Sequence, residues 1–207
     1  MVFRYAHQMF VDCKRQMAPG LLLSMPQLED ENFSRSVILM LEHDKNGSFG
    51  LVLNRPSEMQ LSDVLSQLEL HWAADTQDVV WSGGPVSPET GWMLHSPSGN
   101  CKPLAKTQEG RINSDESMLV APGVALSVSI DKLRELGENP PSNYRLLLGY
   151  AGWGPGQLAK ELVEGSWLHA DIDSDLIFSA PSEEMWSLAM RSLGISPETL
   201  VQSTGIH

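Results

Sequence analysis

The sequence predicts a mixed α/β fold, a mixed β-sheet flanked by short helices, and three observations carry that prediction. Strand-like and helix-like segments alternate along the chain. Two hairpin-like pairs require antiparallel neighbours, which a purely parallel sheet lacks. The run Val37-Ile38-Leu39-Met40-Leu41 is continuously apolar, as in a strand buried on both faces.

In chain order, Gly20–Ser24 reads as a first strand closed by Pro26. Ser36–His43 reads as the buried strand, and Asp44-Lys45-Asn46-Gly47 as the turn that reverses it, because Asn-Gly tolerates positive φ. Phe49–Asn54 returns as its partner, stopped by Arg55-Pro56. Leu61, Val64, Leu65 and Leu68 recur at helical spacing. Val79–Trp81 is a strand running into Ser82-Gly83-Gly84-Pro85, and Gly91–His95 is another. Cys101–Asp115 reads as a polar connection, and Met118–Ala121 and Val124–Val128 as extended. Ile130–Leu136 reads as a helix ended by Gly137. Tyr144–Tyr150 is a buried strand, Gln157–Glu164 a helix closed by Gly165, and Trp167–Ala170 and Leu176–Ser179 late strands. Ser182 is expected to cap a last helix with Glu183 and Glu184 in its first turn.

Composition narrows the function classes. With 207 residues, 42% of them hydrophobic and 19% charged, the chain has material for one core. No apolar run approaches the ~18 residues of a membrane span, and the start has no signal-peptide shape, so the expected location is the cytoplasm. The net charge of −12 opposes direct nucleic-acid binding. Residues 1–16, with Arg4, Lys14 and Arg15 against Asp12, are expected to form a loose arm, the alternatives being a short helix or an extension upstream of Met17. Residues 17–207 are then expected to form a single domain.

Motif searches exclude several chemistries. The chain has no phosphate-binding P-loop, no nucleophile elbow and no Cys-x-x-Cys pair. Asp171-x-Asp173-x-Asp175 opens like a calcium loop, but Leu176 and Ser182 stand where that loop needs glycine and an acid. No metal and no cofactor are expected. Cys101, beside Lys102, is a candidate redox-sensitive thiol. His43, His95 and His169 lack ligand spacing, though a fold can still gather them.

Three constellations remain. Glu42-His43 at a strand end offers an acid–base pair, although successive strand side chains point to opposite faces. Ser82-Gly83-Gly84-Pro85 reads as a tight turn or as free amides. Gly149-Tyr150-Ala151-Gly152-Trp153-Gly154-Pro155-Gly156 joins a strand to a helix, and is either a structural joint or a ligand or partner surface. The candidate surface residues are Asn54, Gly83, Gly84, Gly152, Trp153, Gly154 and Gly156.

The segments MPQLEDENFSRSVILMLEHDKNGSFGLVLNRP (25–56), SGGPV (82–86) and LLLGYAGWGPGQLAKELVEGSWL (146–168), with the start of the helix at Pro181 to Trp186, resemble the AlgH-like family of bacterial proteins across roughly residues 17–195. The resemblance implies a curved, barrel-like mixed sheet. It supplies no catalytic residue, no cofactor and no DNA-binding helix, although the family name is associated with transcriptional regulation. Relatives often carry a cysteine before the Glu-His pair. Leu41 stands there in this chain, which removes thiol chemistry from that position. The resulting expectation is a non-enzymatic regulatory or adaptor protein with a protein or small-molecule partner. The alternative is an enzyme using Glu42 and His43.

Overall fold

The computed structural model describes residues 17–74, 77–99, 101–104 and 116–197. The expected arm at 1–16 and most of the polar connection at 101–115 lie outside them. Among the described residues there are eleven strands: β1 (Gly20–Ser24), β2 (Val37–Asp44), β3 (Gly47–Val52), β4 (Pro56–Gln60), β5 (Val79–Ser82), β6 (Val86–His95), β7 (Lys102–Pro103), β8 (Met118–Ala121), β9 (Val124–Ser127), β10 (Tyr144–Trp153) and β11 (Trp167–Ala170). The described residues also hold five short helices: α1 (Leu61–Gln67), α2 (Ile130–Glu138), α3 (Gln157–Val163), α4 (Ser174–Ser179) and α5 (Ser182–Ser192).

Nine strands follow one curled path in the order β11-β1-β2-β3-β10-β6-β9-β8-β7, while β4 and β5 branch from β10. Every pairing along the path is antiparallel except β7 with β8, and β5 runs parallel to β10. The sheet is therefore mixed and barrel-like.

Strand alternation places successive side chains in different cores. Leu21, Leu23, Leu39 and Leu41 enter a core covered by α4 and α5. Leu22, Ile38 and Met40 enter a second core with Trp153, Leu158 and Trp167, beneath α3. This double burial explains why β2 is apolar without interruption. A third core gathers Leu61 and Leu65 of α1, Leu133 and Leu136 of α2, and Leu146. β10 supplies Leu146, Leu147 and Ala151 to three different cores.

β10 does this by changing partners. Its first half lies between β5 and β6, its last residues pair with β3, and the register shifts between Leu148 and Tyr150. Gly149 sits in the shift at φ 75°. The chain after β5 crosses at this point: Gly83 N donates to Leu148 O at 2.7 Å, and Val52 N donates to Gly83 O at 2.8 Å. A Cβ on Gly83 would overlap the Gly149 carbonyl, and one on Gly149 the Gly84 carbonyl.

Several expectations change. Leu176–Ser179 is not a strand but the body of α4, because Asp173 Oδ1 accepts from the amides of Asp175 and Leu176 and starts a helix. Pro181, not Ser182, precedes α5 as its cap position, and Ser182 Oγ donates to Glu183 instead. α2 continues through Gly137, where a Cβ would overlap the His71 carbonyl, so this glycine permits packing rather than ending the helix. Pro56 opens β4 instead of ending the strand region; proline is tolerated at a strand's first residue. β6 and β10 are longer than expected. In the first hairpin, positive φ falls on Gly47 and not on Asn46. Lys45 and Asn46 form the loop, Asp44 Oδ1 accepts from Asn46 N, and Asp44 pairs with Gly47.

His95 is sealed within the sheet. Its Nδ1 donates to Ser96 O at 3.0 Å, which leaves Nε2 to accept from Ser127 Oγ at 3.0 Å, and Ser117 Oγ lies 2.7 Å from Ser127 Oγ. Burial holds its pKa below the usual 6.5, against a smaller opposing effect of the Ser96 hydrogen bond. The unfolded chain therefore binds this proton more readily. The stability contributed by neutral His95 is complete above about pH 6.5 and is lost as pH falls through the lower folded value. Urea unfolding at a series of pH values should show a decline below that point that is shallower in His95→Gln.

Candidate functional site

The first hairpin brings two of the sequence constellations together. His43 is exposed and lies directly opposite Ser48, with His43 Nδ1 2.7 Å from Ser48 Oγ. Ser48 in turn lies opposite Trp153 on β10. The register shift in β2 falls between Met40 and Glu42, and Glu42 is half-buried. Glu42-His43 on β2 and the glycine-rich turn at the end of β10 therefore lie on either side of β3, whose Ser48 faces both.

Within the turn, the exposed residues are Gly152, Gly154, Pro155 and Gly156, whereas Trp153 is only 6% exposed. Trp153 Nε1 donates to Glu161 Oε2 at 2.9 Å, and Trp167 Nε1 donates to the same oxygen at 2.7 Å. Gln157 Nε2 donates to the other oxygen, Oε1, at 2.9 Å. Phe33 stacks on Trp153 with centroids 6.2 Å apart. One carboxylate thus joins two indoles and an amide beneath the turn. Gln157 also closes the turn from outside: its Oε1 accepts from Gly154 N at 3.0 Å, and its backbone N–H donates to Gly154 O at 3.1 Å. Gly156 adopts φ 73°, beyond easy reach of a side-chain-bearing residue. Leu158 is buried, and Lys160 and Glu164 form an exposed pair at 3.7 Å.

The other candidate surface residues lie inside the fold. Gly83 is buried and Gly84 half-buried at the crossing with β10. Asn54 is 6% exposed; its Oδ1 accepts from Val37 N at 3.0 Å and its Nδ2 donates to Arg35 O at 2.9 Å. It stands in for backbone where β2 begins. Among the described residues no group of three or more His, Cys, Asp and Glu is placed to hold a metal ion, so His43, His95 and His169 are not gathered. Asp173 of the acidic turn caps α4. Cys101 is half-buried, with Sγ 3.8 Å from Ser98 O.

The structure adds a residue that the motif search passed over. Arg145 lies on β10 and is 7% exposed. Its Nη1 donates to Leu53 O at 3.0 Å, and its guanidinium sits 4.0 Å from the Trp81 ring centroid. It forms part of the wall of a cleft of about 150 Å³, together with Asp78, Trp81 and Tyr144. The available signal was a charged residue inside the buried run Tyr144-Arg145-Leu146-Leu147-Leu148.

A family profile described as AlgH-like matches residues 21–198. A UPF0301 protein of Myxococcus xanthus is 39% identical over 194 residues, covering 93% of this chain and 99% of that protein. The solution structure of the AlgH protein from Pseudomonas aeruginosa is similar with a TM-score of 0.69 and 32% identity, covering 94% of this chain and 97% of that one. A crystal structure of a Corynebacterium diphtheriae protein is similar with a TM-score of 0.63 and 25% identity, covering 86% and 88%.

The shared Glu161 acceptor makes a direct prediction. Glu161→Ala strands two indole N–H groups and should lower stability by about 2–6 kcal/mol, given roughly 1–3 kcal/mol for each buried unsatisfied donor. Glu161→Gln keeps an acceptor and should lose less. Denaturant unfolding followed by tryptophan fluorescence measures both.

Proposed function

This chain belongs to the AlgH-like family, and from that premise we propose that it acts by binding rather than by catalysis, as a regulatory or adaptor protein of the cytoplasm. The observation that carries the proposal is the build of the Gly152–Gly156 turn. Its main chain is exposed while its anchors Trp153 and Leu158 are buried. A rigid loop that exposes its glycines offers a partner a preordered surface at little ordering cost. The exposed hairpin end around His43 extends this edge. The partner is a protein or a small ligand. A net charge of −12 disfavours DNA as the direct target.

The enzymatic alternative draws on the close approach of His43 and Ser48. Directly opposed residues on one face of a hairpin meet through register alone, however. Ser48 is also only 7% exposed. The contact is better read as support for the hairpin that borders the binding edge.

Gly154 provides the test. A Cβ there meets nothing nearer than Gln157 Oε1 at 3.8 Å, so a long side chain can be added without displacing the fold. Gly154→Arg should unfold at the wild-type denaturant midpoint and lose partners that the wild-type protein retains in affinity capture from native lysate. Equal recovery of every partner by both proteins contradicts the proposed edge.

A further inference from the structure

Arg145 presents a buried cation to open space. A guanidinium carries five N–H donors, and this one uses Nη1 on Leu53 O and sits over the Trp81 ring. No carboxylate pairs with it among the described residues. Asp78 lines the same cleft, but its Oδ2 accepts from Tyr144 Oη at 2.8 Å. Burial pulls the Arg145 pKa down to about 10, so the group stays charged at neutral pH. Removing a cation from water without a counter-charge costs several kcal/mol. Tethering one carbonyl requires one donor and leaves that cost unexplained.

The cleft selects among the anions that would offset it. Its volume of about 150 Å³ is below the usual range for nucleotide-sized ligands. Leu61, Trp81 and Phe178 give it apolar walls. The Asp78 carboxylate repels a dianion more strongly than a monoanion. We infer that this cleft binds a small monocarboxylate, with the carboxylate on the unused donors of Arg145 and an aliphatic body against Leu61, Trp81 and Phe178. This site is independent of the Gly152–Gly156 edge and stands whether or not that edge binds a partner.

The test is a two-dimensional NMR titration of the full chain with isovalerate, acetate and inorganic phosphate, at ionic strength matched with sodium chloride. Saturable shifts centred on Trp81 and Arg145 are expected, with isovalerate binding several-fold tighter than acetate and phosphate weakest. Arg145→Gln should weaken isovalerate about ten-fold or more, the range of a lost charge-assisted contact. Asp78→Asn keeps an acceptor for Tyr144, removes the repelling charge, and should tighten isovalerate a few-fold, an effect that a purely structural Arg145 would not produce. If Arg145→Gln does not fold, the ligand ranking and Asp78→Asn decide. Shifts that grow linearly with salt, shifts centred elsewhere, phosphate binding tightest, or unchanged or weaker binding in Asp78→Asn would each overturn the inference.

Discussion

The fold depends on one close crossing of main chain over main chain. Gly83 and Gly84 pass over β10 at the Gly149 bulge so tightly that no Cβ fits on either side. Gly83 donates to one strand and accepts from another, so the crossing stitches Leu148 to Val52. Because the register slips there, β10 leaves β5 and takes up β3. That exchange lets one strand serve three cores. A side chain at any of these three glycines would force the strands apart and uncouple the cores from one another.

The crossing also divides the two places proposed as binding surfaces. Arg145 and its cleft lie before it on β10, and Trp153 with the exposed glycine turn lies after it. Seven residues of β10, Leu146 to Gly152, with the Gly149 bulge among them, separate Arg145 from Trp153. Both sites use the same physical device. A rigid strand fixes a side chain beneath the surface, and that side chain sets what lies above it. At one end Trp153 is satisfied by Glu161, and an exposed glycine surface lies above it. At the other end Arg145 keeps unused donors, and a charge is what remains open.

Much of this was legible along the chain. The unbroken apolar run of β2 announced burial on both faces, and Asp44 to Gly47 announced the hairpin. Ser82 to Pro85 and Gly149 to Gly156 marked the two places where the backbone needs glycine, although nothing in either segment said that they touch each other. Leu176-Ile177-Phe178 is too short for its periodicity to distinguish strand from helix, and the Asp173 cap decided it. Asn54 and Trp153 looked like surface positions, because a polar residue beside a turn and an aromatic between glycines are common there. Their partners, the start of β2 for Asn54 and Glu161 for Trp153, are brought to them only once the sheet has closed. Arg145 escaped for the same reason: a lone arginine in an apolar run becomes informative only when no acid is found beside it.

Native-state hydrogen exchange tests the central claim most directly, because the amides of Gly83 and Val52 are the two hydrogen bonds of the crossing. If the crossing holds the cores together, both amides open only with the whole molecule. They should then exchange with the global unfolding free energy and the full denaturant dependence, as buried amides of β2 do. Exchange of Gly83 and Val52 through a local opening well below the global free energy, while β2 stays protected, would contradict the account.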